Sequence, residues 1–282
     1  MPIKVRKAKL PPMTRDEKAI QKALLDSVGL IKSEIARYAV AEALERGDVN
    51  RAVELLRFDV GQDFLRSVLP AKYRDIFEKA GETASLKIKA SFQVVNPRSV
   101  EFASARAGEL VREWGNSSQD AVKSLISRGI TDGIPPRKLA KDIVDTGIGL
   151  TDRQALAVER FRTRLENNPE MDLSDAQIAA RTQRYHDRLL RQRGETIART
   201  ETILASREGT QEAWRQAADE GLIDPATMVQ EWVVAEDERL CDDCGPLDGE
   251  TAPMGSNFPG EGGSGPPVHP NCRCDIILVP AE

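Results

Sequence analysis

A mainly α chain closing in a small C-terminal β module, an α+β arrangement, is predicted by three features of this sequence. Apolar residues recur at helical intervals from about Ile20 to Trp214, set off by N-cap signals. After Pro225 the pattern turns strand-like, in Val229–Val234 and again in Asp275–Val279. Between those two runs stand all four cysteines of the chain and one of its two histidines.

The chain in order supports that reading. Residues 1–13 hold Pro2, Pro11 and Pro12 among scattered lysines and read as a basic extended arm. Thr14 and Glu17 fit a capping box, and Ile20, Leu24, Ile31, Ile35 and Tyr38 continue one helix to about Leu44. Gly47 to Asn50 break it, and Asp48 caps a short helix carrying Val53, Leu56 and Phe58. A helix Gln62–Val68 is expected to end before Pro70, with a further one from there to about Ala90 bearing Tyr73, Ile76, Phe77 and Ala80. Short connections make this an antiparallel bundle, residues 14–118, within an elongated N-terminal helical region.

Asn96-Pro97 is a break. Val100, Ala103, Ala107, Leu110, Val111 and Trp114 then form an amphipathic stripe, which Asn116-Ser117-Ser118 stop or kink. Gln119–Arg128 is another helix, closed by Gly129. A short helix with Leu139, Ile143 and Val144 follows Pro135-Pro136, and Thr151 with Gln154 caps one bearing Leu156, Val158, Phe161 and Leu165. Helix, glycine turn, helix also describes a DNA-reading helix-turn-helix, so a DNA-binding regulator is an alternative; the turn is long for that motif. Leu173 to Asp175 start a long helix on which Arg181, Arg184, Arg188 and Arg191 line one face, a candidate contact for DNA or an acidic partner. Gly194 is expected to interrupt it before Thr196–Trp214, so that residues 119–225 form a second helical region and 226–282 the β module.

The cysteines carry the chemistry. Cys241-Asp-Asp-Cys244 can form a tight knuckle with Gly245-Pro246, and His269-Pro-Asn-Cys272-Arg-Cys274 supplies three more candidate ligands. Thiolates and an imidazole suit a tetrahedral zinc ion, so Cys241, Cys244, His269, Cys272 and Cys274 compete for four places. Which of them is spare stays open. Two disulfides or a redox pair are the other readings. Met1–Leu10 lacks the apolar core of a secretory signal, which argues against an oxidising destination. No Glu beside His269 can act as base, so the zinc is read as structural and a zinc hydrolase is the less favoured alternative. Two strands alone are marginal in water, and a metal at their open end supplies what they lack.

Composition sets the outer bounds. At 282 residues the chain has room for two domains. Lys, Arg, Asp and Glu make up 30 %, which favours solvated helices over one large core. The net charge of −5 excludes nucleic-acid binding by bulk charge alone, but the ends differ: Lys4 to Lys22 is basic and Asp219 to Glu250 acidic. No apolar stretch is long enough for a membrane span, so no membrane partner is expected.

Trp232, the acidic turn before Cys241, Cys241-Asp-Asp-Cys244, Leu247-Asp248-Gly249, Pro266-Pro267 and His269-Pro-Asn-Cys-Arg-Cys274 together resemble the closing signature of the phage head morphogenesis family named after the F protein of phage Mu. Arg199-Thr200-Glu201 fits as well, and the resemblance runs over about residues 119–279. It implies a minor head protein of a tailed phage, a virion component assembled in the host cytoplasm. It implies as partners the portal protein, the inner capsid or both, and a part in head assembly, DNA packaging or DNA ejection, with no enzymatic role. It also implies that Arg199 to Glu201 brace the zinc module. Some members carry a toxin or enzyme domain after this signature; Glu282 follows directly here, so none is expected.

Overall fold

The computed structural model describes residues 10–94, 96–235 and 241–281. Nine residues of the expected basic arm, 1–9, lie outside the described residues, as do 236–240 of the acidic turn. The chain is mainly helical: α1 (Arg15–Glu34), α2 (Arg37–Glu45), α3 (Val49–Glu54), α4 (Phe58–Lys87), α5 (Pro97–Thr131), α6 (Pro136–Thr146), α7 (Asp152–Glu166) and α8 (Asp175–Asp219) precede β1 (Met228–Val233), β2 (Thr251–Pro253) and β3 (Asp275–Pro280). It divides into two compact units. One holds the described residues up to Ala19, within Pro70–Ser104 and from Glu195 on; the other, all helical, holds Ile20–Leu69 and Ala105–Gly194.

The caps fall where the sequence places them. Thr14 N–H donates to Glu17 Oε2 at 2.7 Å and Glu17 N–H returns to Thr14 Oγ1 at 3.2 Å. Asp48 accepts from the Arg51 amide, and Thr151 with Gln154 closes a full capping box on α7. The apolar stripes become cores. In the helical unit, Ile20, Leu24, Leu56, Leu110, Val111, Ile126 and Ile143 are buried, as the 3.6-residue period requires.

Four breaks differ from expectation. Helix α1 ends at Glu34 and α2 starts at Arg37, with no glycine or proline between them. Lys32 donates to the Asp145 carbonyl at 2.6 Å and Arg37 reaches the Asp145 carboxylate at 2.8 Å. Residues five apart on one helix point to different sides, so the break lets both grip the end of α6. Pro70 does not end a helix: α4 runs through it, losing one amide donor, and the boundary between the units falls there. Asn116 to Ser118 leave α5 intact, with Ser117 Oγ and Ser118 Oγ donating to the carbonyls of Glu113 and Trp114 four residues back. Gly194 lies inside an unbroken 45-residue α8. A Cβ there would come within 3.2 Å of Gln21 Cγ, so this glycine serves the close approach of α1.

The C-terminal sheet is antiparallel in the order β2-β1-β3. Strands β1 and β3 pair as expected, Trp232 opposite Ile276 and Val229 opposite Val279. The third strand was not expected. Thr251–Pro253 comes from within the long glycine- and proline-rich segment and lies on the other side of β1, Glu231 opposite Thr251. Trp214 of α8 packs into the same core as Trp232, Val234, Leu247, Phe258, Ile276 and the sulfurs of Cys244, Cys272 and Cys274.

Candidate metal centre

The Cys241–Cys244 segment is a knuckle. The Gly245 amide donates to the Cys241 carbonyl at 3.0 Å and the Cys244 amide to Cys241 Sγ at 3.3 Å. A 3-10 turn over Gly245–Leu247 follows and buries Leu247. The short side chain spacing therefore turns both sulfurs to one side, as two ligands of one ion require.

The second group meets it from the entry to β3. The Cys272 amide donates to the His269 carbonyl at 3.1 Å, folding His269–Cys272 into a turn. His269 Nδ1 stands 2.9 Å from the Pro270 carbonyl. A carbonyl only accepts, so Nδ1 carries the hydrogen and Nε2 presents a lone pair. That lone pair points at Cys241 Sγ and Cys244 Sγ, both at 3.1 Å. Cys244 Sγ is 3.8 Å from Cys272 Sγ, close to the edge of about 3.8 Å that a tetrahedral ion with metal–sulfur distances of about 2.3 Å demands.

The structure thus brings all five sequence-predicted ligands together, in two overlapping groups. Cys241, Cys244 and His269 form one; Cys244, Cys272 and Cys274 form the other, and Cys244 belongs to both. The set could hold a metal ion. The four cysteines are free thiols, none bridged to another. Burial pushes the Cys244 thiol up to about 12, helped by its sulfur neighbours. The hydrogen bond to Cys274 and burial raise Cys272. The same bond, received from Cys272, brings Cys274 down to about 5 against the pull of burial, with Cys244 adding to the lowering. Negative charge is therefore most easily carried at Cys274.

Helix α8 supports the loop, through one of the residues expected and two others. Of Arg199-Thr200-Glu201, the two charged members have partners outside the loop. Arg199 donates to the Pro11 carbonyl at 2.6 Å and pairs with Glu195 at 3.0 Å, and Glu201 accepts from the Tyr73 hydroxyl at 2.7 Å. Thr200 is the residue that reaches the metal loop, accepting the Asn271 amide at 3.2 Å, while Thr196 Oγ1 accepts Asn271 Nδ2 at 3.4 Å. One helix turn pair further on, Arg207 donates to the carbonyls of Gly265 and Pro266 at 3.0 and 3.2 Å. Sequence reasoning missed Thr196 and Arg207. Their only signal was a spacing of four and seven from Thr200 on one helical face.

Arg181, Arg184, Arg188 and Arg191 all lie exposed on α8 and form no ion pair among the described residues. Arg188 stacks over the Tyr185 ring at 4.8 Å, and Tyr185 in turn meets Phe161 of α7 at 4.7 Å. Exposed Arg153, Arg160 and Arg164 on α7, not singled out from sequence, are likewise without an ion pair among the described residues. The acidic neighbours are engaged elsewhere, Glu159 with Arg128 and Glu166 with Arg162 and Lys138.

Comparison with known proteins gives one match. The model of the family described as Phage Mu protein F like protein covers residues 120–277, a span that includes α6, α7, α8 and the whole Cys/His cluster. No curated protein matches the chain, and no solved structure does.

Proposed function

The chain belongs to the Phage Mu protein F like family, and on that premise we propose that it is a minor, capsid-associated component of a tailed phage head, acting at or near the portal. Head morphogenesis is the role that the family indicates, and such families are typically structural rather than enzymatic. A role among other head components and an association with the virion follow at that level. No helix among the described residues is long and apolar enough to cross a membrane. The observation that carries the proposal is that the family match ends around the metal cluster and includes it entire.

The ion is zinc in this reading. Thiolates with one imidazole form its preferred soft and borderline donor set, and four protein ligands would close the site as in structural zinc centres. Cys241, Cys244 and His269 supply three ligands, and Cys272 or Cys274 closes the tetrahedron. Zinc would tie the knuckle before β2 to the segment before β3, so its binding energy is also folding energy for a three-stranded sheet too small to stand by itself. The arginine surface of α7 and α8 is the part suited to packaged DNA during packaging or ejection. Arg presents a planar fork to phosphate, and seven such groups without ion-pair partners among the described residues gain most from a polyanion.

Deletion of the coding region from the producing phage, with complementation in trans, tests the role. Loss of infectious particles, restored by the wild-type chain, is the expected result. Normal head yield and infectivity without the chain would overturn the proposal.

A further inference from the structure

The segment that presents His269 and Cys272 turns at Asn271, whose φ of 59° lies in the left-handed region. Asparagine enters that region more readily than other residues with a side chain, and its partners can then fix it there. Here the partners are two hydroxyls of α8. The Thr200 hydroxyl donates to the Thr196 carbonyl at 2.9 Å, which spends its hydrogen and leaves a lone pair for the Asn271 amide at 3.2 Å. The Asn271 side chain donates to Thr196 Oγ1 at 3.4 Å. Thr196 and Thr200 are one turn apart and so share a face of the helix. Arg207 lies on α8 two further turns along and holds the carbonyls of Gly265 and Pro266, at the other end of the same segment. One helix therefore grips the segment from Gly265 to Cys272 at both ends.

We propose that Thr196 and Thr200 are positioning residues for the metal centre: α8 holds Asn271 in its left-handed turn and so aims His269 Nε2 and Cys272 Sγ at the Cys241–Cys244 knuckle. The inference rests on the reading of the Cys/His cluster as a zinc site. Its physical content is that ligand orientation is set by hydrogen bonds one shell out from the metal, and that losing them weakens binding by about 10–100-fold. Asn271 is then required for its backbone conformation as much as for its side chain. Asn271→Gly, which adopts that conformation freely, keeps more affinity than Asn271→Ala.

The test is the affinity of the full chain for zinc ion, measured by competition with a chromophoric chelator. The Thr196→Val, Thr200→Val double variant keeps side-chain shape and removes both hydroxyls. It is expected to bind zinc about 10–100-fold more weakly, while the chelated variant melts with wild-type helicity. Thr196→Ser with Thr200→Ser restores affinity. Equal affinity in wild type and double variant overturns the positioning role and leaves the zinc reading intact. So does a variant that melts earlier when chelated yet binds zinc as tightly as wild type, since the hydroxyls would then serve stability alone. A wild-type chain that takes up no zinc overturns the zinc reading itself, and this inference with it.

Discussion

His186 shows how a single buried side chain sets a pH response. Its ring is fully buried in the helical unit, with Nε2 3.2 Å from the Ile148 carbonyl and Nδ1 3.0 Å from Asp187 Oδ1 and 3.4 Å from Gln183. Burial lowers its pKa below the ordinary 6.5, and the Lys32 ammonium adds to that, against the pull of Asp187 and Ile148. A folded pKa below the unfolded one favours the neutral ring in the native state. The stability this contributes is full above pH about 6.5 and is lost as pH falls below it. Urea midpoints of the wild type should decline from pH 6.5 toward 5, and His186→Gln should flatten that stretch. Asp187, held below the usual carboxylate range, titrates further down and leaves this window clear. A midpoint that falls equally in both proteins would show that His186 is not the group responsible. At the metal centre, the residue-scale expectation is that Cys244→Ser abolishes zinc binding, since Cys244 belongs to both ligand groups. Of Cys272→Ser and Cys274→Ser, one should be milder, because four places cannot take five ligands; equal loss in both would mean that each has a role.

At the scale of elements, the glycines of α8 separate two effects that sequence cannot. Both Gly194 and Gly209 stand within a helix, where alanine is intrinsically better by about 0.5–1 kcal/mol. A Cβ on Gly209 would lie 2.1 Å from the Phe77 carbonyl oxygen of α4, a backbone atom that cannot swing away. A Cβ on Gly194 would meet Gln21 Cγ at 3.2 Å, part of a flexible side chain, with its other neighbours at ordinary contact distance. Denaturation should therefore find Gly209→Ala destabilised by about 1–3 kcal/mol, as overpacking is. Gly194→Ala should fall within about 1 kcal/mol of wild type on either side. The reverse order would mean that α4 and α8 do not meet at Gly209 in solution. The arginine faces of α7 and α8 give a second expectation. Arg184, Arg188 and Arg191 replaced by Glu should leave helicity unchanged and weaken binding to duplex DNA, with a smaller salt dependence than the wild type shows. Unchanged binding and unchanged particle incorporation would make these arginines an ordinary solvated face.

Over the whole molecule, what was legible followed from how local the cause was. Caps at Thr14, Asp48 and Thr151 need only neighbours in sequence, and each forms as its spacing predicts. The five candidate ligands were legible as a group because cysteines with one histidine, so spaced, have few other uses, and the structure gathers them. What was not legible depends on distant partners. The break at Ile35–Ala36 answers to Asp145, more than 100 residues away, and the continuity at Gly194 to Gln21. Strand β2 has three residues and no alternation to announce it, being made by its pairing with β1. Thr200 was singled out with its charged neighbours, yet the neutral hydroxyl touches the loop. On the proposed function, the C-terminal module is a part that metal holds closed for a role in the phage head. Chelation should therefore open the Cys241–Cys274 segment to protease while the helical unit, with its own apolar core, keeps its circular dichroism.

Mass spectrometry of heads purified from the producing phage tests the central claim most directly. The chain should be present in wild-type heads, at low copy relative to the major capsid protein, and lost or strongly depleted from heads made with Cys244→Ser. Heads that are complete and infectious yet contain none of a chain shown to be expressed would contradict the account.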